Sequence, residues 1–229
     1  MKTDIRRLSS LGMVSSYLVR QEGLILIDTG LPKVLGYKGV NLKKALQSLS
    51  SEPKDIRLIL ITHAHYDHVG LLSDLKALTG AEVAVSQHER EWVEKGLRLP
   101  ARGATMWGKI LLACTSTTIS RMKVTPTSVD IALEDKEFSL GPFGIRGKII
   151  PTPGHSPGSV SLILDSGEAF VGDLAMNGWP YRFGPGMPMT ADDVGAVKTS
   201  WRIILDNGAK YIYPAHGRPF EADVLRKKL

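Results

Sequence analysis

The chemistry of this chain is concentrated in one heptapeptide, Thr62-His63-Ala64-His65-Tyr66-Asp67-His68, which places four potential metal ligands within six residues. Imidazole nitrogens and carboxylate oxygens are ordinary protein ligands of divalent cations. An extended turn puts His63 and His65 on one side, because alternate side chains of extended backbone share a face. Asp67 and His68 then open an expected helix carrying Val69, Leu72, Leu75 and Leu78. A helix start aims side chains away from the preceding turn, so one short segment can face two adjacent metals.

The chain has only six histidines, and two more stand in similar places. His155 lies in Pro151-Thr152-Pro153-Gly154-His155-Ser156-Pro157-Gly158 and His216 in Tyr213-Pro214-Ala215-His216-Gly217, each after an apolar run. Asp173 follows Val171-Gly172, and Asp28 follows Ile25-Leu26-Ile27. Taken singly, each histidine reads as a loop residue and Asp28 as a turn former. A carboxylate with two oxygens can nevertheless bridge two cations, which makes Asp173 the natural centre of a larger set. His88 sits among charged residues and reads as a solvated helix face; Cys114 follows Ile110-Leu111-Leu112 and reads as buried packing.

These residues must be positioned by strands that end in loops. Short apolar runs predict strands at Tyr17-Val19, Leu24-Ile27, Leu58-Ile61, Glu82-Val85, Ile145-Ile149, Ser161-Leu164, Ala169-Val171 and Tyr211-Tyr213. Helices are expected at Asn41-Ser48, Asp67-Leu78, His88-Lys95, Met106-Ala113 and Ala191-Asp206. The last, with Thr190 as N-cap and Gly208 past its end, carries Val194, Val197, Trp201, Ile204 and Leu205 as a core stripe. The arrangement predicts one α/β (α+β) domain over residues 1–229, with insertions near 87–126 and 176–189 that are candidates for a lid or pocket wall.

Composition narrows the setting. Charged residues make up 23%, an ordinary globular share, so neither a disordered nor a fibrous chain fits. The net charge of +6 comes with cation clusters only at Arg6-Arg7 and Arg226-Lys227-Lys228, which read as solvated ends rather than a nucleic-acid stripe. One cysteine excludes an intrachain disulfide and a thiolate zinc cluster, and no apolar run approaches the ~20 residues that span a bilayer. A soluble cytoplasmic protein, without membrane or nucleic acid, is the expectation.

The motifs, in order from Asp28 to His216, resemble those of the metallo-β-lactamase fold superfamily. The resemblance implies a four-layer αβ/βα sandwich and two divalent metals, with zinc leading and iron or manganese as alternatives. His63, His65 and His155 would hold one metal, and Asp67, His68 and His216 the other. Asp173 would bridge them, with Asp28 fixing the ligand loop by hydrogen bonds. In such a site a hydroxide between metals roughly 3.5 to 4 Å apart attacks an ester-like bond, with Asp67 orienting the water or taking its proton.

Among branches of that family, the compact length and the insertion after the histidine cluster resemble the acyl-homoserine lactonases, which makes a lactone or carboxylic ester the expected substrate. Those lactonases commonly carry a Tyr shortly after the bridging Asp; here Tyr181, in the same loop, is the substitute. Only 13 residues follow His216, so the helical domain of glyoxalase II-like enzymes is not expected. Thioester hydrolysis, a phosphodiesterase or nuclease, and a mononuclear iron persulfide dioxygenase remain the alternatives. Met106, Trp107, Ile110, Leu111 and Leu112 from one insertion are expected to line an apolar pocket with Met176, Trp179, Tyr181, Phe183, Met187 and Met189 from the other. The alternative use of these residues is loop packing or a homodimer contact.

Overall fold

The computed structural model describes residues 3–33 and 39–229. Two six-stranded sheets face each other. The first runs in spatial order β1 (Asp4–Ser10), β2 (Val14–Arg20), β3 (Leu24–Ile27), β4 (Ile56–Leu60), β5 (Glu82–Ser86) and β6 (Ile131–Leu133). Its first three strands form an antiparallel meander, and β3 to β6 are parallel. The second comprises β7 (Phe138–Ser139), β8 (Gly147–Pro151), β9 (Val160–Leu164) and β10 (Glu168–Gly172), with β13 (Tyr211–Pro214) parallel to β10 and β14 (Phe220–Glu221) at the edge. A ribbon of β11 (Met176–Asn177) and β12 (Pro185–Gly186) stands apart.

The central strands are apolar on both faces, as sheets covered on both sides must be. In β3, Ile25 and Ile27 enter the core between the sheets with Leu58, Leu60, Leu162 and Phe170. Leu24 and Leu26 face outward into a second core, which includes residues of α1 (Leu42–Gln47), α2 (Tyr66–Val69), α3 (Leu72–Thr79) and α4 (Arg90–Glu94). On the far side of the other sheet, Val197, Trp201, Ile204 and Leu205 of α6 (Val194–Asp206) pack with Ile163, Val171 and Ile212, and α7 (Asp223–Arg226) adds Leu225. The result is the expected four-layer αβ/βα sandwich. α5 (Met106–Arg121) lies within the first anticipated insertion.

Helix boundaries depart from the sequence expectation for identifiable reasons. The helix expected over Asp67-Leu78 breaks into α2 and α3, because Gly70 N donates to Gly30 O and Leu71 N to Thr29 Oγ1 rather than to helical carbonyls. α6 starts at Val194 and its cap is Asp193, not Thr190: the Asp193 side chain accepts from Ala196 N, while Ala191 N and Asp192 N bond loops of the site. α5 continues to Arg121, and Cys114 on it is exposed rather than buried, since half-buried Leu111, Thr115 and Ile119 define the inward stripe. Met106, at its start, is exposed.

Candidate metal centre

Every candidate ligand sits just beyond the C-terminal end of a strand, in the loop or short helix that follows it, where ligands of parallel sheets are usually bound. Asp28 directly follows β3, the His63-to-His68 segment follows β4, His155 follows β8, Asp173 follows β10 and His216 follows β13. Backbone bonds tie these ends together across the sandwich. Val160 N donates to Thr62 O, Ala215 N to Gly172 O, and Ser15 N to Ala215 O. Gly172 has φ 53°, and a Cβ there would lie 2.5 Å from Thr62 Oγ1, so only glycine lets the Asp173 turn approach the histidine loop so closely.

Seven side chains converge. His155 Nε2 lies 3.0 Å from both His63 Nε2 and His65 Nδ1. Asp173 stands between the remaining ligands: Oδ1 is 3.4 Å from His68 Nε2, and Oδ2 is 3.3 Å from His216 Nε2 and 3.7 Å from His155 Nε2. His216 Nε2 is also 3.3 Å from Asp67 Oδ2. All are buried except Asp67, which is partly exposed.

The outward nitrogens are fixed by acceptors. His155 Nδ1 donates to Thr190 O and His216 Nδ1 to Met13 O, each at 2.8 Å; a carbonyl only accepts, so neutral His155 is left with its Nε2 lone pair facing inward, and His216 Nε2 also faces inward, toward the carboxylates of Asp67 and Asp173. Asp28 organises the His68 side. Its Oδ1 accepts from Thr62 N at 2.8 Å, and its Oδ2 stands 2.8 Å from both Thr62 Oγ1 and His68 Nδ1. To do this Asp28 adopts φ 57°, a left-handed conformation that Asp tolerates better than most residues and that these bonds hold in place.

Electrostatics divide the histidines. Burial, reinforced by the neighbouring imidazoles, holds His63 well below the ordinary histidine range, and burial brings His155 down to about 4. His68 and His216 go the other way: burial opposes their charge, but Asp28 and Asp173 outweigh it at His68, and Asp173 and Asp67 at His216. Burial likewise works against ionising Asp173, yet His216 and His68 hold it well below the usual carboxylate range.

The arrangement fits divalent metal on its own evidence. Buried His68 Nε2 and Asp173 Oδ1 face each other at 3.4 Å and have no hydrogen-bond partner among the described residues, a costly condition that a cation would relieve. Ligand atoms from His63, His65 and His155 lie within 4.8 Å of one another, as do those of Asp67, His68 and His216 and those of His63, His68 and Asp173. Nitrogen and carboxylate donors without thiolate suit zinc, iron or manganese.

Around the centre, the expected pocket residues separate. The two anticipated insertions are joined, with Ala104 N donating to Met189 O and Ala191 N to Arg102 O. Trp107 donates its indole N–H to Pro180 O at 2.8 Å and stacks on Trp179 with ring centroids 6.1 Å apart; Phe183 lies 5.5 Å beyond Trp179. Trp179 and Phe183 are 69% and 86% exposed, so they form an open shelf and not an enclosed pocket. Tyr181 sits over His216 at 4.3 Å, its phenol kept protonated by burial. Met176 is buried in the β11–β12 ribbon and Met187 packs against the α6 core, so neither offers the surface expected of it. Ile110 is exposed on α5. His88 is exposed and pairs with Asp135 at 2.9 Å, as a solvated residue should.

Sequence reasoning missed Glu89. It stands between His88 and Arg90 in a charged run, yet it is buried and bonds loops on both sides of the three-histidine set. A capping-type position just after a strand was its only sequence signal.

A family model described as the Metallo-beta-lactamase superfamily matches residues 10–216. The probable metallo-hydrolase YqgX of Bacillus subtilis is 32% identical over 122 residues, covering 52% of this chain and 50% of the relative. The hydroxyacylglutathione hydrolase GloC of Haemophilus influenzae is 24% identical over 146 residues, covering 61% and 59%. This chain thus spans about half the length of these curated relatives. The crystal structure of ST1585, an archaeal metallo-beta-lactamase superfamily protein from Sulfolobus tokodaii, superposes with a TM-score of 0.71 at 20% identity, covering 100% of this chain and 86% of that one. With the fold, the ordered ligand motifs and the family match in agreement, this chain belongs to the metallo-β-lactamase superfamily.

Proposed function

We propose that the protein is a binuclear metal-dependent hydrolase of a lactone or related carboxylic ester. The carrying observation is the Asp173 carboxylate, which lies between two histidine sets within 3.7 Å of His68, His155 and His216. His63, His65 and His155 would hold one ion and Asp67, His68 and His216 the other, with Asp173 reaching both. Zinc suits the donors best. Divalent metal held there supplies Lewis acidity, acidifying water and polarising the carbonyl to be cleaved.

The chain's own groups do the remaining work. Asp67 is partly exposed, and its carboxyl is held below the ordinary range: burial opposes this, but the hydrogen bond from His216 together with the charges of His68 and His216 outweighs it. As a carboxylate it orients the attacking water and accepts its proton. Tyr181, protonated and over His216, offers a hydrogen bond to oxygen on which charge develops. Trp107, Trp179 and Phe183 provide the apolar surface that an acyl chain requires.

The similarity to GloC supports a second reading, thioester hydrolysis, with the same ligands acting on a sulfur leaving group. Proton release by metal-loaded protein on a long-chain acyl lactone and on the matching thioester, each against a chelated control, separates the two. Faster metal-dependent lactone turnover supports the first reading, faster thioester turnover the second, and turnover of neither removes both. We place the enzyme in the cytoplasm, acting on a small molecule, with the exposed shelf available to a homodimer. Among the described residues no helix is long and apolar enough to cross a membrane.

A further inference from the structure

We propose that Glu89 is a positioning residue that closes the three-histidine set by clamping its two loops together, an inference that rests on the metal-binding reading above. Those ligands come from different sheets, His63 and His65 after β4 and His155 after β8. Their convergence to 3.0 Å is therefore a tertiary contact that needs a tie.

Glu89 supplies it. The side chain is 1% exposed, and among the described residues no ion pair reaches it. Its charge is balanced instead by donors. Oε2 accepts from Ala64 N, the amide between His63 and His65. Oε1 accepts from Ser156 Oγ, beside His155, and from Gly158 N at 2.9 Å. The fit is close: a Cβ on Gly158 would lie 2.6 Å from Glu89 Cγ. Burying a carboxylate is costly unless hydrogen bonds replace its water, and here every replacement is a group of a ligand loop.

The clamp is one-sided. His68 is held by Asp28 and His216 by Met13 O, and Glu89 bonds none of these groups. Loosening it must therefore weaken one set of ligands and spare the other. A role in general stability would instead disturb both sets alike.

The test uses full-length protein, freed of metal and titrated with Zn²⁺ against a chromophoric chelator. In a His216→Ala background, which leaves the three-histidine set intact, adding Glu89→Gln sets an amide NH₂ against backbone donors. The Kd for Zn²⁺ should rise at least about tenfold, the scale on which groups supporting metal ligands act. In a His65→Ala background, which leaves Asp67, His68 and His216 intact, the same substitution should change Kd by less than about twofold. Equal changes in both backgrounds, or none, overturn the clamp. Should Glu89→Gln fail to fold, Ser156→Ala removes one donor only, and it must weaken the three-histidine set selectively or the inference falls. Parent protein that binds no Zn²⁺ defeats the metal reading and this inference together, whereas a parent that binds beside an unaffected Glu89 variant defeats this one alone.

Discussion

Asp173 is the residue on which the site turns, because among the described residues it alone has a carboxylate within 3.7 Å of the inward nitrogens of His68, His155 and His216 together. Asp173→Ala should lower metal content and hydrolytic activity together, as elemental analysis and proton release on the same preparation would register. A variant that kept two ions and full activity would show that the carboxylate joins nothing. The opposed histidine environments make a second prediction, on proton release. A metal accepts only neutral imidazole. In metal-free protein His63 and His155 are depressed and already neutral at pH 7, so neither releases a proton when their set binds. His68 and His216 are raised and protonated at pH 7, so binding displaces protons and affinity must climb with pH until each passes its own pKa. Calorimetric titration of His65→Ala and His216→Ala proteins in two buffers of different ionisation enthalpy counts the protons; equal release from both variants would contradict the division. These ligands were legible because histidines are scarce and clustered here. Glu89 was not, since a buried carboxylate and a solvated one are the same letter until the loops that satisfy it are in place.

At the scale of elements, α6 does more than cover a sheet. Trp201 donates its indole N–H to Leu174 O, beside Asp173, and Ser200 Oγ donates to Pro153 O, two residues before His155. One helix thus holds two ligand turns. Trp201→Ala should cost about 3–5 kcal/mol through the lost packing, measurable by denaturant unfolding of the metal-free protein. Trp201→Phe keeps most of the volume but leaves Leu174 O without its donor, so it should unfold nearer the parent while still binding metal less tightly. Equal metal affinity in Trp201→Phe and parent would reduce the helix to packing alone. The α6 stripe was readable from its spacing except at exposed Val194, as were the strand at Leu24-Ile27, apolar throughout, and that at Glu82-Val85, apolar after its first residue. β1 was not: Asp4–Ser10 carries two arginines and buries only Leu8 and Ser10, so its pairing with β2 is set by the sheet and leaves no hydrophobic run to read. Short β6 and β7 were invisible for a different reason: they are too brief to show a period.

At the scale of the molecule, two sheets that share a core place five strand ends around one centre, and two separate segments meet beside it to build the aromatic shelf. Of the residues expected there, Trp107, Trp179 and Phe183 meet while Met176 and Met187 pack elsewhere, and the surface stays open, because exposure depends on how α5 and the 176–189 segment lean on each other. Bonds between backbones, Ala104 N to Met189 O and Ala191 N to Arg102 O, and the Trp107 indole on Pro180 O hold that junction, so Trp179 and Phe183 can be changed without breaking these bonds. Trp179 and Phe183 are mostly exposed, and truncating either should leave the melting temperature nearly unchanged, since little buried area is lost. If the shelf receives the acyl chain, Trp179→Ala should raise KM for a long-chain lactone by about tenfold, the effect of losing roughly 1.4 kcal/mol of apolar contact. The same variant should treat a short-chain lactone as the parent does, because that substrate reaches only the ligands. If the shelf instead seats a second copy of the chain, KM will be indifferent to chain length and sedimentation will show the variant dissociating. Steady-state kinetics on the two lactones beside sedimentation equilibrium therefore assign the surface to substrate or to subunit contact.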